Sequence, residues 1–218
     1  ASDSLSELTL NGFHGLEASD KSPSNPFSKN RSGINIGEGA ALFILSRDKD
    51  LLSSQEVFEL CGVGESSDAY HISTPDPEGK GACSAMESAL DNANMIAKDI
   101  EYINLHGTGT IKNDAMESKA VSHLFGLSTP VSSTKPLTGH TLAAAGAIEI
   151  GIICLFLSRL NSNNLLPYHL WDKVKDLDID SLNFVQINTK SIMNNCMSNS
   201  YAFGGNNTSL IIGRCYES

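Results

Sequence analysis

Apolar positions along the chain fall into short runs of strand length that alternate with stretches of helical spacing. The run Ala40 to Leu45 predicts a buried strand, fed by the glycine-rich turn Gly33-Ile34-Asn35-Ile36-Gly37-Glu38-Gly39. Val57 to Val63 predicts another, and Tyr102-Ile103-Asn104-Leu105 a short one that delivers His106 at its end. Val131-Ser132, Phe184 to Ile187 and Ser209 to Ile212 complete the strand candidates. Residues 81–95 carry Ala, Met and Leu at helical spacing, and 113–125 place Ala115, Met116, Val121 and Leu124 on one side of a helix. The longest apolar stretch, Leu142 to Leu157, is interrupted by Glu149, is short for a bilayer, and predicts a buried helix over 141–158.

Between these elements lie polar connections. Residues 1–38 are polar and irregular, with Leu5, Leu8 and Leu10 marking the end of a helix and Ser22-Pro23-Ser24-Asn25-Pro26 a loop. A loop with Pro167 and Trp171 precedes the strand at 184, and Asn199 to Asn207 reads as a glycine-hinged turn. Strands alternating with helices predict an α/β layered fold with a mixed sheet. The polar opening suggests a chain that enters in the middle of a fold.

Composition narrows the partners more than the fold. A chain of 218 residues can bury one substantial core. Its net charge of −10 argues against non-specific binding to nucleic acid or to a membrane surface. An acidic protein would need a local basic patch to dock, which Arg31 with Lys29, or Lys21, could supply. The five cysteines lack paired spacing and suggest neither a metal site nor a redox pair. They are expected to be reduced cytoplasmic thiols, with Cys61 and Cys154 in the core.

Candidate chemistry gathers in three segments. His106 stands in His106-Gly107-Thr108-Gly109-Thr110, at the carboxyl end of a strand, where α/β folds place their ligand crevices. A lone histidine is often structural, but flanking glycines and hydroxyls favour a functional one. His140, in Thr138-Gly139-His140, precedes a helix, whose amino end would keep the imidazole neutral and able to donate one hydrogen bond; a plain helix cap is the competing reading. Glu149 lies in an otherwise apolar helix, and a buried unpaired carboxylate is costly, so it needs a cationic partner. Lys135, in Ser132-Ser133-Thr134-Lys135, is the nearest, and the pair is expected to orient the histidines. In the closing turn, Phe203 could swing on Gly204 and Gly205, whose N–H groups could meet an oxyanion.

Taken in order, HGTGT, SSTK, TGHTLAAAGAIE and NSYAFGGNN, with Arg31-Ser32-Gly33 to Gly39 and Ser66 to Ser73 upstream, resemble the carboxyl-terminal half of the β-ketoacyl-acyl-carrier-protein synthases. The resemblance implies the thiolase-like fold, two similar halves stacked as αβαβα layers. Residues 1–50 would then be a connecting segment from an amino-terminal half, ending in a strand, and 51–218 the C-terminal ketosynthase domain. By resemblance His106 and His140 bind the malonyl thioester carbonyl, supported by Lys135 and Glu149. Thr108 and Thr110 match threonines that contact the phosphopantetheine arm, Phe203 the gating phenylalanine with Gly204 beside it, Ser73 a substrate-side serine, and Asp114 an acidic position behind the site. The family's acyl-carrying cysteine lies in the first half, and none of the five cysteines here matches it.

Two departures stand out: Tyr201-Ala202 where the family usually has Phe-Gly, and Asn206 where Thr is frequent. They suggest a secondary pathway, such as an aryl-polyene cluster, rather than housekeeping elongation. The implied activity is decarboxylative Claisen condensation of an acyl thioester with malonyl-acyl carrier protein, without metal or cofactor beyond the carrier's phosphopantetheine. The implied partners are the carrier protein, the amino-terminal half and a second subunit in a homo- or heterodimer. The alternatives are a non-catalytic partner subunit of the chain-length-factor type and a folded but inactive fragment.

Overall fold

The computed structural model describes residues 1–48 and 56–215. The expected boundary between residues 50 and 51 lies outside them. In chain order the elements are β1 (Ser2–Asp3), α1 (Glu7–Gly15), β2 (Gly39–Ala40), β3 (Phe58–Ser67), α2 (Lys80–Ala93), β4 (Tyr102–Asn104), α3 (Ile111–Phe125), β5 (Pro130–Ser132), α4 (Lys135–Thr138), α5 (Ala145–Leu157), β6 (Asn183–Phe184), β7 (Asn195–Tyr201) and β8 (Asn206–Arg214). Six strands form one mixed sheet in the order β3-β8-β7-β4-β5-β6. β8 runs antiparallel to both β3 and β7, and β7, β4, β5 and β6 run parallel.

Side chains alternate across a strand, so neighbouring residues in the central strands serve two different cores. Ile103, Met197 and Ile211 face a layer made by α2 and α3, with Met86, Ala89, Met116 and Val121. Tyr102, Cys196 and Ile212 face α5, with Ile150, Ile153 and Leu157. The sheet is therefore sandwiched between helices in an α/β layered fold, as the strand–helix alternation predicts. Among the described residues no helix is long and apolar enough to cross a membrane.

Several expectations are corrected. The run 40–45 is not a buried strand: only Gly39–Ala40 pair, with β1, while Leu42, Ile44 and Leu45 are 89%, 82% and 80% exposed. A strand needs a neighbour to satisfy its backbone, and the pairing ends at Ala41, which exchanges backbone hydrogen bonds with Ala1. The helix expected over 141–158 opens as a 3-10 turn at Leu142–Ala144 and becomes α-helical only at Ala145. Apart from Glu149 it is apolar yet covered on one side, leaving Leu155 exposed. β6 stops at Phe184 and Ile187 is exposed. Cys61 and Cys154 are only partly buried; Cys196 is the cysteine in the core. Arg31 offers no surface patch, because it is buried and its Nη1 lies 2.5 Å from Asp176 Oδ2.

Candidate active site

The parallel strands β4 and β5 end side by side, and β7, parallel to β4, runs on past it to Tyr201, so the loops that follow all three lie at one edge of the sheet. These loops carry His106, Lys135 and Phe203. They open onto a cleft of about 2930 Å³ lined by His106, His140, Thr108, Thr110, Ser73 and Phe203, among others.

His106 is fixed by bonds to its own backbone. Its N–H donates to Glu117 Oε1 at 2.7 Å, and the Gly107 N–H donates to Glu117 Oε2 at 2.7 Å. The next turn demands glycine: Gly107 has φ +41°, and a Cβ there would lie 2.5 Å from Ser133 Cβ. Lys135 Nζ donates to the His106 carbonyl at 2.5 Å and to Glu149 Oε1 at 2.5 Å, and lies 3.4 Å from His106 Nδ1. The expected Lys135–Glu149 pair is thus formed, with both side chains 2% exposed. Burial pushes the Glu149 carboxyl up and the Lys135 charge pulls it back.

His140 is fixed from another part of the chain. Its N–H donates to Asn35 O at 2.7 Å and its carbonyl accepts from Gly37 N–H at 3.1 Å, a parallel bridge to the segment at residue 36. Its Nδ1 accepts from Leu142 N–H at 3.2 Å. α5 begins five residues further on, so the helix end is not what keeps this ring neutral. Burial does so first and the Lys135 charge second, bringing His140 down to about 3. His106 is pushed well below the usual histidine range by burial, then by Lys135 and His140.

The tautomers follow from the partners. An ammonium has only protons to give, as does a backbone N–H, so Nδ1 of each ring accepts and each neutral ring carries its proton on Nε2. The rings stand edge to face with centroids 5.3 Å apart. The arrangement places two uncharged rings, each with an Nε2 proton, on one cleft.

The remaining expected residues fall as follows. Thr108 Oγ1 and Thr110 Oγ1 are 2.9 Å apart. Asp114 is fully buried and accepts from Phe27 N–H at 2.8 Å and Gly109 N–H at 3.3 Å, bracing the threonine loop from behind. Phe203 is half-exposed and stacks on Phe13 of α1, centroids 5.8 Å apart. Ser73 N–H donates to His71 Nδ1 at 3.1 Å. The glycines do not serve an oxyanion in this structure: Gly204 N–H donates to Ile72 O at 2.7 Å and Gly205 N–H to Ala202 O at 3.1 Å. Left-handed backbone in this turn belongs to Gly204 and Gly205, not to Ala202, so the alanine fits without strain.

Sequence reading missed Glu117, Asn35 and Tyr201. Glu117 carried a signal: the stripe Met116, Ala120, Val121 puts it on the buried face of α3. Tyr201 packs 5.7 Å from the His106 ring, and its buried hydroxyl has no hydrogen-bond partner among the described residues. Asn35 gave no signal, since its contact spans more than a hundred residues.

Comparison with known proteins places the chain in one family. Residues 57–166 match the family model for the beta-ketoacyl synthase C-terminal domain. The chain is 33% identical over 222 aligned residues to a 3-oxoacyl-[acyl-carrier-protein] synthase 2 of Coxiella burnetii, covering 96% of this chain and 52% of that protein. It is 37% identical to one of Staphylococcus aureus, over 85% of this chain and 46% of that protein. A ketosynthase solved in complex with its chain length factor, from Xenorhabdus doucetiae, superposes with a TM-score of 0.89 at 44% identity, over 99% of this chain and 52% of that one. The fold is thus that of the thiolase-like ketosynthases. Within it, the chain belongs to the β-ketoacyl synthase family and carries that family's C-terminal domain. It spans about half the length of the curated relatives it matches.

Proposed function

We propose that this chain is the decarboxylation half of a β-ketoacyl-acyl-carrier-protein synthase, an acyltransferase that extends an acyl thioester with malonyl-acyl carrier protein. The carrying observation is the pair of neutral histidines with Nε2 protons, 5.3 Å apart on one cleft and anchored by Lys135 and Glu149. In this reading the malonyl thioester oxygen accepts from both Nε2–H groups. As the bond to the carboxylate breaks, carbon dioxide leaves and its bonding pair enters the thioester as an enolate. The negative charge develops on the oxygen that the two donors already hold. The enolate carbon then attacks the acyl thioester on a cysteine of the amino-terminal half, forming the new carbon–carbon bond and expelling the thiolate. Thr108 and Thr110 steady the phosphopantetheine arm, Ser73 and Phe203 line its path, and no resident metal or cofactor takes part.

Exposed apolar side chains support the presence of a second half. Leu8, Leu42 and Ile44 are exposed, and α5, apolar apart from Glu149, is covered on one side only. The intact protein would work in the cytoplasm as a homo- or heterodimer. The likeness to a ketosynthase solved with its chain length factor supports a secondary pathway. The complete His106, His140, Lys135 and Glu149 set favours the enzyme over a non-catalytic partner subunit, which has no use for two poised donors.

Intact mass of the protein from its source, with a malonyl-carrier decarboxylation assay on the same sample, tests the proposal. A mass near twice that of this chain, with carbon dioxide release lost in His106→Ala, is expected. A native mass equal to this chain's 23.3 kDa with no release would overturn it.

A further inference from the structure

His169 belongs to none of the motifs above, yet it is 5% exposed and sits directly behind the site. It lies in the loop after α5, its N–H donating to Val185 O at 2.9 Å. Aromatic rings hold it on several sides: Phe184 stacked at 4.5 Å, Trp171 at 5.6 Å and Phe27 at 6.0 Å between centroids. Both ring nitrogens are engaged. Nδ1 accepts from Ser133 N–H at 3.1 Å, and Nε2 lies 3.1 Å from Pro26 O. A carbonyl can only accept, so Nε2 carries the proton, Nδ1 is a bare acceptor, and the ring is neutral in one defined tautomer. Burial favours the same state, lowering the group to about 4.

Ser133, the residue His169 holds, is the hub of the site's support. Its Oγ donates to Gly107 O at 2.7 Å and accepts from Lys135 N–H at 3.3 Å. Gly107 follows His106 directly, and Lys135 Nζ reaches the His106 carbonyl. A shift of Ser133 therefore moves both the loop of His106 and the root of Lys135.

We infer that His169 is a positioning residue for decarboxylation: its Nδ1 anchors Ser133 and, through Ser133, sets His106 and Lys135, while its Nε2–H ties the same point to the loop at Pro26. This rests on the function proposed above. The two arms separate by substitution. In His169→Asn the amide oxygen reaches the place of Nδ1 and keeps Ser133, whereas in His169→Gln the longer amide reaches the place of Nε2 and keeps only Pro26. His169→Leu keeps neither.

In the protein at its native length, malonyl-carrier decarboxylation by His169→Gln and His169→Leu is expected to lose about ten- to a hundredfold in kcat with KM nearly unchanged, since donors are misplaced rather than removed. His169→Asn is expected to rescue kcat to within about threefold of the parent. Equal kcat in the Asn and Gln variants, or an unaltered kcat in folded His169→Leu, would overturn the inference. Ring nitrogen resonances of His106 are read alongside, in the same three variants. If the parent protein releases no carbon dioxide, the proposed function fails on its own and these resonances decide: displacement in Gln and Leu but not in Asn upholds the positioning role, and unmoved resonances in all three refute it.

Discussion

His106 and His140 share one cleft, but different parts of the chain hold them there. The His106 loop is braced from within the matched family domain, by Glu117 on α3 and by Lys135, itself paired to Glu149 on α5. The His140 loop is braced by Asn35 and Gly37, from the segment that precedes that domain. The first is a buried network of charges and backbone groups, costly to disturb because an orphaned charge has nowhere to go. The second is a backbone ladder, cheap in electrostatic terms and dependent on close approach. His106 is thus held directly by groups of the domain, backed through Ser133 by His169 and Pro26 from outside it, whereas His140 depends on residues 35–37 being seated.

The largest expected break falls on the His106 side. Lys135→Ala leaves Glu149 buried without its cation and is expected to cost about 3–5 kcal/mol in chemical denaturation. A loss below about 1 kcal/mol would mean that the pair is not the anchor described here. On the His140 side the sensitive point is Gly37, where a Cβ would lie 2.5 Å from Thr138 O and 3.0 Å from Gly139 Cα. Gly37→Ala is expected to cost about 1–3 kcal/mol and to move the ring resonances of His140 while leaving those of His106 in place. Movement of both rings together would erase the distinction between the two halves.

Acid sharpens the comparison. His140 titrates near 3 when folded, against an ordinary value of 6.5. Between those values the unfolded chain binds a proton that the folded chain refuses, so this contribution to stability is full above pH 6.5 and declines as pH falls toward 3. In His140→Asn the slope of unfolding free energy against pH across that window should flatten by about 1.4 kcal/mol per pH unit. An unchanged slope would show that the ring titrates normally in the fold. The smallest effect belongs to Phe203. Phe13→Ala removes the ring stacked on Phe203, worth about 0.5–1.5 kcal/mol, and should loosen Phe203 in side-chain relaxation with little change in overall stability.

Much of this site was legible because its residues come with local frames. His106 sits at a strand end between glycines, and Glu149 interrupts an apolar helix, which by itself demands a cation; Lys135 then follows by proximity. The strand and helix alternation was legible for the same reason, since periodicity is local. Where the reading failed, the deciding contacts were distant. The run 40–45 has the composition of a buried strand and lies exposed, because burial depends on a neighbour rather than on hydropathy. His140 was expected to owe its neutrality to a helix end, but Leu142–Ala144 form a 3-10 turn first, and burial with the Lys135 charge sets its state instead. Gly204 and Gly205 have the freedom to present N–H groups, but that freedom is used to bond Ile72 and Ala202.

The sequence by itself determined the family, the layered α/β architecture and the identities of the paired histidines, lysine and glutamate, because spacing and local chemistry travel with the chain. Only the tertiary structure decided how these groups are held: Glu117 under His106, Asn35 and Gly37 beside His140, His169 behind Ser133. Each is a hydrogen bond between elements brought together by the packing of a two-sided sheet. Its partners, separated by 11 residues in one case and by more than a hundred in another, leave little trace in local pattern.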